Sequence, residues 1–170
     1  MNSYSRMPLI AVSLAVAALG ATQASAQVPM ALAVPDAIVV ATLHAEGAQL
    51  YECKPGPDNA LIWQFREPVA TLLQDGKTVG RHYAGPTWEH TDKSAVRGKV
   101  AVSARGATPN DIPLLKLDVT ERQGEGAFSN VTAVQRLNTS GGAAQGPCEK
   151  PGTFRSVAYS ADYVFLRKSN

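Results

Sequence analysis

The sequence predicts an all-β fold, an antiparallel sandwich or partly closed barrel with one disulfide. Three observations predict it. Apolar residues recur with a period of two in one segment after another, the signature of strands with one buried face. Glycine and proline turns separate those segments at short intervals, as in all-β domains. No long stripe with the helical period is present, and Pro68 interrupts the one stretch, 61–73, that approaches it.

Residues 27–36 hold Pro29 and Pro35 and read as a loose lead-in. Segments 38–44 and 48–53 read as a strand pair turning at Glu46-Gly47. In the next strand Leu61, Trp63 and Phe65 alternate with Ile62, Gln64 and Arg66. Segments 69–74 and 78–84 flank Asp75-Gly76, a dipeptide that strongly favours a two-residue hairpin turn. From Ala95 to Arg105, Val96, Gly98, Val100, Val102 and Ala104 fall on one face, with Arg97, Lys99, Ser103 and Arg105 on the other. Leu115, Leu117 and Val119 alternate with Lys116, Asp118 and Thr120. Val131 to Leu137 is a further candidate, and Tyr159, Ala161, Tyr163 and Phe165 give the last strand an apolar face. The longest irregular stretch runs from Thr139 to Arg155.

Residues 1–26 read as a secretory signal peptide. Arg6 supplies the basic start, Leu9 to Ala21 is an uncharged apolar run, and Ala24-Ser25-Ala26 is a small-x-small cleavage pattern. The run is too short for a membrane helix, which needs about 20 apolar residues. The expectation is a single β-domain, 27–170, secreted or periplasmic, with no membrane span after cleavage. A composition 45% hydrophobic supplies a core, and a net charge of +2 excludes a strong electrostatic hold on nucleic acid. In an oxidising compartment two cysteines pair, so Cys53 and Cys148 are expected to form the disulfide. Closing a loop of about 95 residues stabilises by roughly 4–5 kcal/mol in the chain-entropy model.

One ordered set of motifs covers nearly all of the mature chain. Gly47-Ala-Gln-Leu-Tyr51-Glu-Cys53 is followed by Trp63, then by Gly80-Arg-His82-Tyr-Ala-Gly85-Pro86-Thr-Trp88-Glu89. Asp111-Ile112-Pro113-Leu-Leu115, Val134-Gln-Arg136-Leu-Asn138-Thr139-Ser-Gly141-Gly142, Cys148 and Tyr159-Ser-Ala161-Asp162-Tyr163-Val-Phe165 complete it. This set resembles the secreted bacterial and fungal family known only as domain of unknown function 3455. The resemblance implies a secreted domain with Cys53 and Cys148 paired, and it implies no activity. The chain departs from the family's pattern at Leu114, where tryptophan is common, at Lys116, where the segment is usually apolar, and at Lys93, where glycine often follows Asp92.

Two constellations are candidates for a site. The first is His82, Trp88, Glu89, His90 and Asp92, which brings two of the three histidines together with two carboxylates and an indole. Imidazole and carboxylate are zinc ligands, but this spacing is no known metal motif, so no metal and no cofactor are expected. The second is Gln135, Arg136, Asn138, Thr139, Asp162 and Tyr163, in which Arg136 and Asp162 pair if the last strand lies beside 131–139. No nucleophile elbow, phosphate-binding loop or dinucleotide fingerprint is present. The leading expectation is a non-enzymatic binding module for a small molecule, glycan or envelope partner. Its ligand residues are His82, Trp88 and Glu89, then Arg136 and Asp162. The alternatives are a hydrolase or metal-dependent enzyme using His82 and Glu89, and a structural or stress-related envelope protein.

Overall fold

The computed structural model describes residues 28–169. The expected signal peptide lies outside them. A 3₁₀ turn, Met30–Leu32, precedes eight strands: β1 (Ala37–Pro55), β2 (Leu61–Gln74), β3 (Lys77–Tyr83), β4 (Thr87–His90), β5 (Ala95–Ala104), β6 (Leu114–Gln123), β7 (Ala133–Gly141) and β8 (Phe154–Lys168). Each strand pairs antiparallel with the next. β8 returns to β1 in a long ladder from Ala37↔Lys168 to Glu52↔Phe154, so one sheet closes into a barrel. Closure pairs the first strand with the last, so neither is left as a sheet edge. No helix among the described residues is long and apolar enough to cross a membrane.

Alternation fixes which side chains enter the barrel. Leu43, Ala45, Gln49, Tyr51 and Cys53 of β1, and Tyr159, Ala161, Tyr163 and Phe165 of β8, are all buried. Val96 of β5, Leu117 of β6 and Val134 of β7 meet them in one core. Gln135 has the opposite parity to Val134, yet it is buried too, because the lead-in covers it. Its Nε2 donates to the carbonyl of Leu32 at 2.6 Å, and Leu32 is fully enclosed.

The Asp75-Gly76 hairpin forms as expected. Gln74 pairs with Lys77, and both turn residues have positive φ, 50° and 73°, as the favoured two-residue turn demands. The expected turn at Glu46-Gly47 does not form, and β1 runs through it unbroken. A Cβ on Gly47 would collide with the Val69 carbonyl and with Ala70 of β2. The missing side chain therefore serves a close crossing of strands rather than a chain reversal. Pro68 does not separate two strands either. It sits inside β2, whose pairing with β3 begins only at Ala70↔His82. Residues 61–69 thus extend beyond β3, and a residue without an N–H is tolerated on that flank. The segment after Gly85-Pro86 folds back as β4, a short strand that the alternation did not reveal. The irregular stretch is shorter than expected, because β7 runs to Gly141 and β8 starts at Phe154.

Cys53 and Cys148 are joined, with Cα atoms 5.8 Å apart. The bond ties the end of β1 to the β7–β8 connection, and Cys53 N–H donates to the Thr153 carbonyl at 2.9 Å beside it.

Candidate functional site

The barrel interior is not filled at the end where β3 turns into β4. A cavity of about 540 Å³ lies there, within the ~300–1,000 Å³ range of small-molecule sites. Its deep wall is made by buried Gln49, His82, Trp88, Ile112, Leu117 and Tyr163. Its rim is made by Phe65, Arg66, Gly85, Val100 and Pro113, with Arg136 and Tyr51 between rim and wall.

The wall is organised by strand register. His82 and Trp88 stand directly opposite each other on β3 and β4, and their rings stack 4.5 Å apart and 5° from parallel. Tyr163 meets both edge-on, at 5.0 and 5.3 Å. Trp88 pairs with Val96 on β5, and its indole reaches over Gly98, which gives it room. A Cβ there would come within 3.2 Å of Trp88 Cζ3. His82 Nδ1 lies 2.9 Å from the Thr87 carbonyl. A carbonyl can only accept, so Nδ1 carries the proton and Nε2 is the bare nitrogen. Burial lowers the His82 pKa to about 3, and the imidazole is neutral at pH 7. Burial likewise raises the Tyr51 and Tyr163 hydroxyls above their usual range.

Arg136 enters the cavity from β7, between Leu115 of β6 and Tyr163 of β8. Its Nε donates to the Pro113 carbonyl at 2.9 Å. Among the described residues no carboxylate pairs with it, and no Asp or Glu lines the cavity. Arg66, the other cation, is already engaged: it pairs with Glu67 at 3.2 Å and lies 5.0 Å over the Phe154 ring. Trp88 Nε1 and Gln49 Nε2 are buried with no hydrogen-bond partner among the described residues.

The first expected constellation is divided among three places. His82 and Trp88 line the cavity. Glu89, next to Trp88, points outward by alternation, where Arg81 Nη2 donates to it at 2.7 Å and the Tyr83 hydroxyl at 3.1 Å. The Arg81 guanidinium holds the Glu89 carboxyl below its usual range. His82 and Glu89 therefore face opposite sides of the sheet. His90 and Asp92 belong to the other end of the barrel, where Asp92 accepts from Ser94 and from the Ala127 N–H. Among the described residues no three His, Cys, Asp or Glu side chains are grouped to hold a metal ion.

The second constellation also separates. β7 does lie beside β8, but Asp162 is opposite Leu137, one position out of phase with Arg136. The expected Arg136–Asp162 pair is thus not formed. Asp162 faces outward, accepting from His44 Nδ1 at 2.8 Å and from Asn138 Nδ2 at 2.7 Å. The most telling residue missed in the sequence is Gln49. It shares parity with buried Leu43, Ala45, Tyr51 and Cys53, so a polar residue on an inward face was there to be read. The assumed turn at Gly47 hid that parity.

Residues 34–167 match the model of a family described as protein of unknown function (DUF3455). No curated protein and no solved structure matches the chain.

Proposed function

The chain belongs to the DUF3455 family, and on the geometry of its cavity we propose that it is an exported, non-enzymatic carrier or receptor for a small apolar molecule. The observation that supports this is the cavity itself, about 540 Å³ and walled mainly by aromatic and aliphatic side chains. Burying a ligand's apolar surface there gains about 25 cal/mol per Å². A glycan fits less well, because its many hydroxyls would meet few polar partners on this wall. The separation of His82 from Glu89 removes the pair on which the hydrolase and metal-enzyme alternatives rested. Export is supported by the sequence of residues 1–26 and is compatible with the Cys53–Cys148 disulfide. Mass measurement of the exported protein is expected to find Gln27 as its first residue.

The reading is tested with Nile red, a neutral dye that brightens in apolar surroundings. The protein is expected to bind it saturably, one per chain. Val100→Trp, which fills the rim at a residue already 48% exposed, is expected to remove binding while leaving the melting temperature nearly unchanged. Equal dye binding by both proteins would place the dye elsewhere and defeat the reading.

A further inference from the structure

The cavity carries one feature that a site for neutral molecules has no use for. Arg136 brings a permanent positive charge to a wall with no carboxylate. A partly buried cation is ordinarily paired, because leaving water without a counter-charge is costly. Three exposed arginines of this chain have carboxylate partners. Arg81 is matched by Glu89, Arg97 by Glu121 and Arg66 by Glu67. Arg136, by contrast, is half-buried at the cavity and has no carboxylate partner among the described residues, and its orientation is nevertheless fixed. Its Nε is spent on the Pro113 carbonyl, which anchors the guanidinium plane at the cavity. Nη1 and Nη2, beside the Tyr163 hydroxyl, meet no carboxylate among the described residues, and they form the end of the fork that meets both oxygens of a carboxylate in parallel hydrogen bonds.

The aromatic wall lies beside this charge. Tyr163, the β8 neighbour of Arg136, packs edge-on against the His82–Trp88 stack. His82 adds no charge of its own, since its imidazole is neutral and its Nδ1 proton is committed to Thr87. The cavity thus has one cationic point and an apolar remainder. Resting on the carrier reading above, we infer that the ligand is an apolar monocarboxylate whose carboxylate is held end-on by Arg136 while its body lies against Trp88 and Tyr163.

The test compares 2-naphthoate with 2-naphthamide, which share a shape and differ in charge. Both fluoresce, so each is titrated directly and independently of Nile red. The wild-type chain is expected to bind the carboxylate at least about 10-fold more tightly, the scale of a hydrogen-bonded charge. Arg136→Gln is expected to bring the two affinities within about 3-fold, chiefly by weakening naphthoate. Arg136→Lys, which keeps the charge and loses the fork, is expected to fall between. Arg66→Gln is expected to preserve the discrimination. Circular dichroism confirms that each variant is folded, and the lysine variant carries the test should the glutamine variant not fold. Equal binding of the two probes by the wild type would overturn the inference, as would discrimination that survives both Arg136 changes or is lost with Arg66→Gln. Nile red binding would still stand in each of those cases, so the carrier reading is judged separately.

Discussion

The two ends of the barrel treat their polar groups in opposite ways. At the end closed by the β4–β5 turn, hydrogen bonds knit the turn to the loop before β7. Asp92 accepts from Ser94 N–H and Oγ–H at 2.8 and 2.6 Å and from Ala127 N–H at 2.8 Å, and Ser94 Oγ accepts from Phe128 N–H at 3.1 Å. Those bonds hold Phe128 over the core, stacked 4.2 Å from Phe165. At the end below the β3–β4 turn, among the described residues, Arg136 has no counter-charge, and Trp88 Nε1 and Gln49 Nε2 have no hydrogen-bond partner. Folding selects for satisfied groups. An end built by that rule is a plug, and an end that departs from it around a cavity is suited to a ligand.

If that contrast is right, substitutions at the plug act on stability and leave binding alone. The largest effect is expected from Phe128→Ala, which removes a fully buried ring. Chemical denaturation should show a loss of about 3–5 kcal/mol, with the naphthoate affinity of the folded protein unchanged.

The next effect is a pH dependence arising at the cavity wall. The folded-state pKa of His82 is lowered from 6.5 to about 3. The unfolded chain therefore takes up a proton that the folded chain refuses. This contribution to stability is complete above pH 6.5 and is lost as the pH falls toward 3. Its slope is about 1.4 kcal/mol per pH unit. Between pH 6.5 and about 5.5, a unit above the ordinary glutamate value of 4.5, His82→Phe is expected to flatten the slope. A mutant curve as steep as the wild-type one would place the acid sensitivity elsewhere.

Smaller effects sharpen the comparison. Asp92→Ala is expected to cost about 1–3 kcal/mol, since it leaves Ser94 and the Ala127 N–H without their acceptor. Lys93, beside it, has a φ of 74°, which explains why glycine suits that position. Lys93→Gly is expected to stabilise by about 0.5 kcal/mol, the left-handed penalty less the entropy lost by glycine. Arg136→Gln is expected to change stability least, by about 0.5 kcal/mol or less, because no ion pair is broken. Thermal and denaturant melts of these three variants give the ranking.

Much of this architecture can be read from residue order. Alternation in Tyr159–Phe165 gave a strand and its buried face, because a period of two leaves little choice. In Ala95–Arg105 it gave the strand and buried Val96 and Gly98, but the face breaks at a register shift after Val100, which is exposed. The Asp75-Gly76 hairpin and the cysteine pair were equally legible, each resting on local chemistry. Pro68 rightly excludes a helix over 61–73, but the turn at Gly47 and the split of β2 around Pro68 are not formed, because both residues break chains only in isolation. Here a close strand crossing and an unpaired flank give them other uses, and neither circumstance is local. The site was half legible for the same reason. His82, Trp88 and Arg136 reach the cavity, whereas Glu89 and Asp162 face outward through a parity of one residue. Which strands oppose each other decides which side chains meet, and sequence spacing alone does not carry that register.

The most direct test of the open end as the ligand site is a titration of isotope-labelled protein with 2-naphthoate, followed by backbone amide chemical shifts. The amides of Gln49, His82, Leu117 and Arg136 are expected to move with one common dissociation constant while those of Asp92, Ser94 and Phe128 stay in place. Shifts centred on the Asp92–Phe128 plug or on the outer Arg81–Glu89 pair, or no shifts at saturating probe, would contradict it.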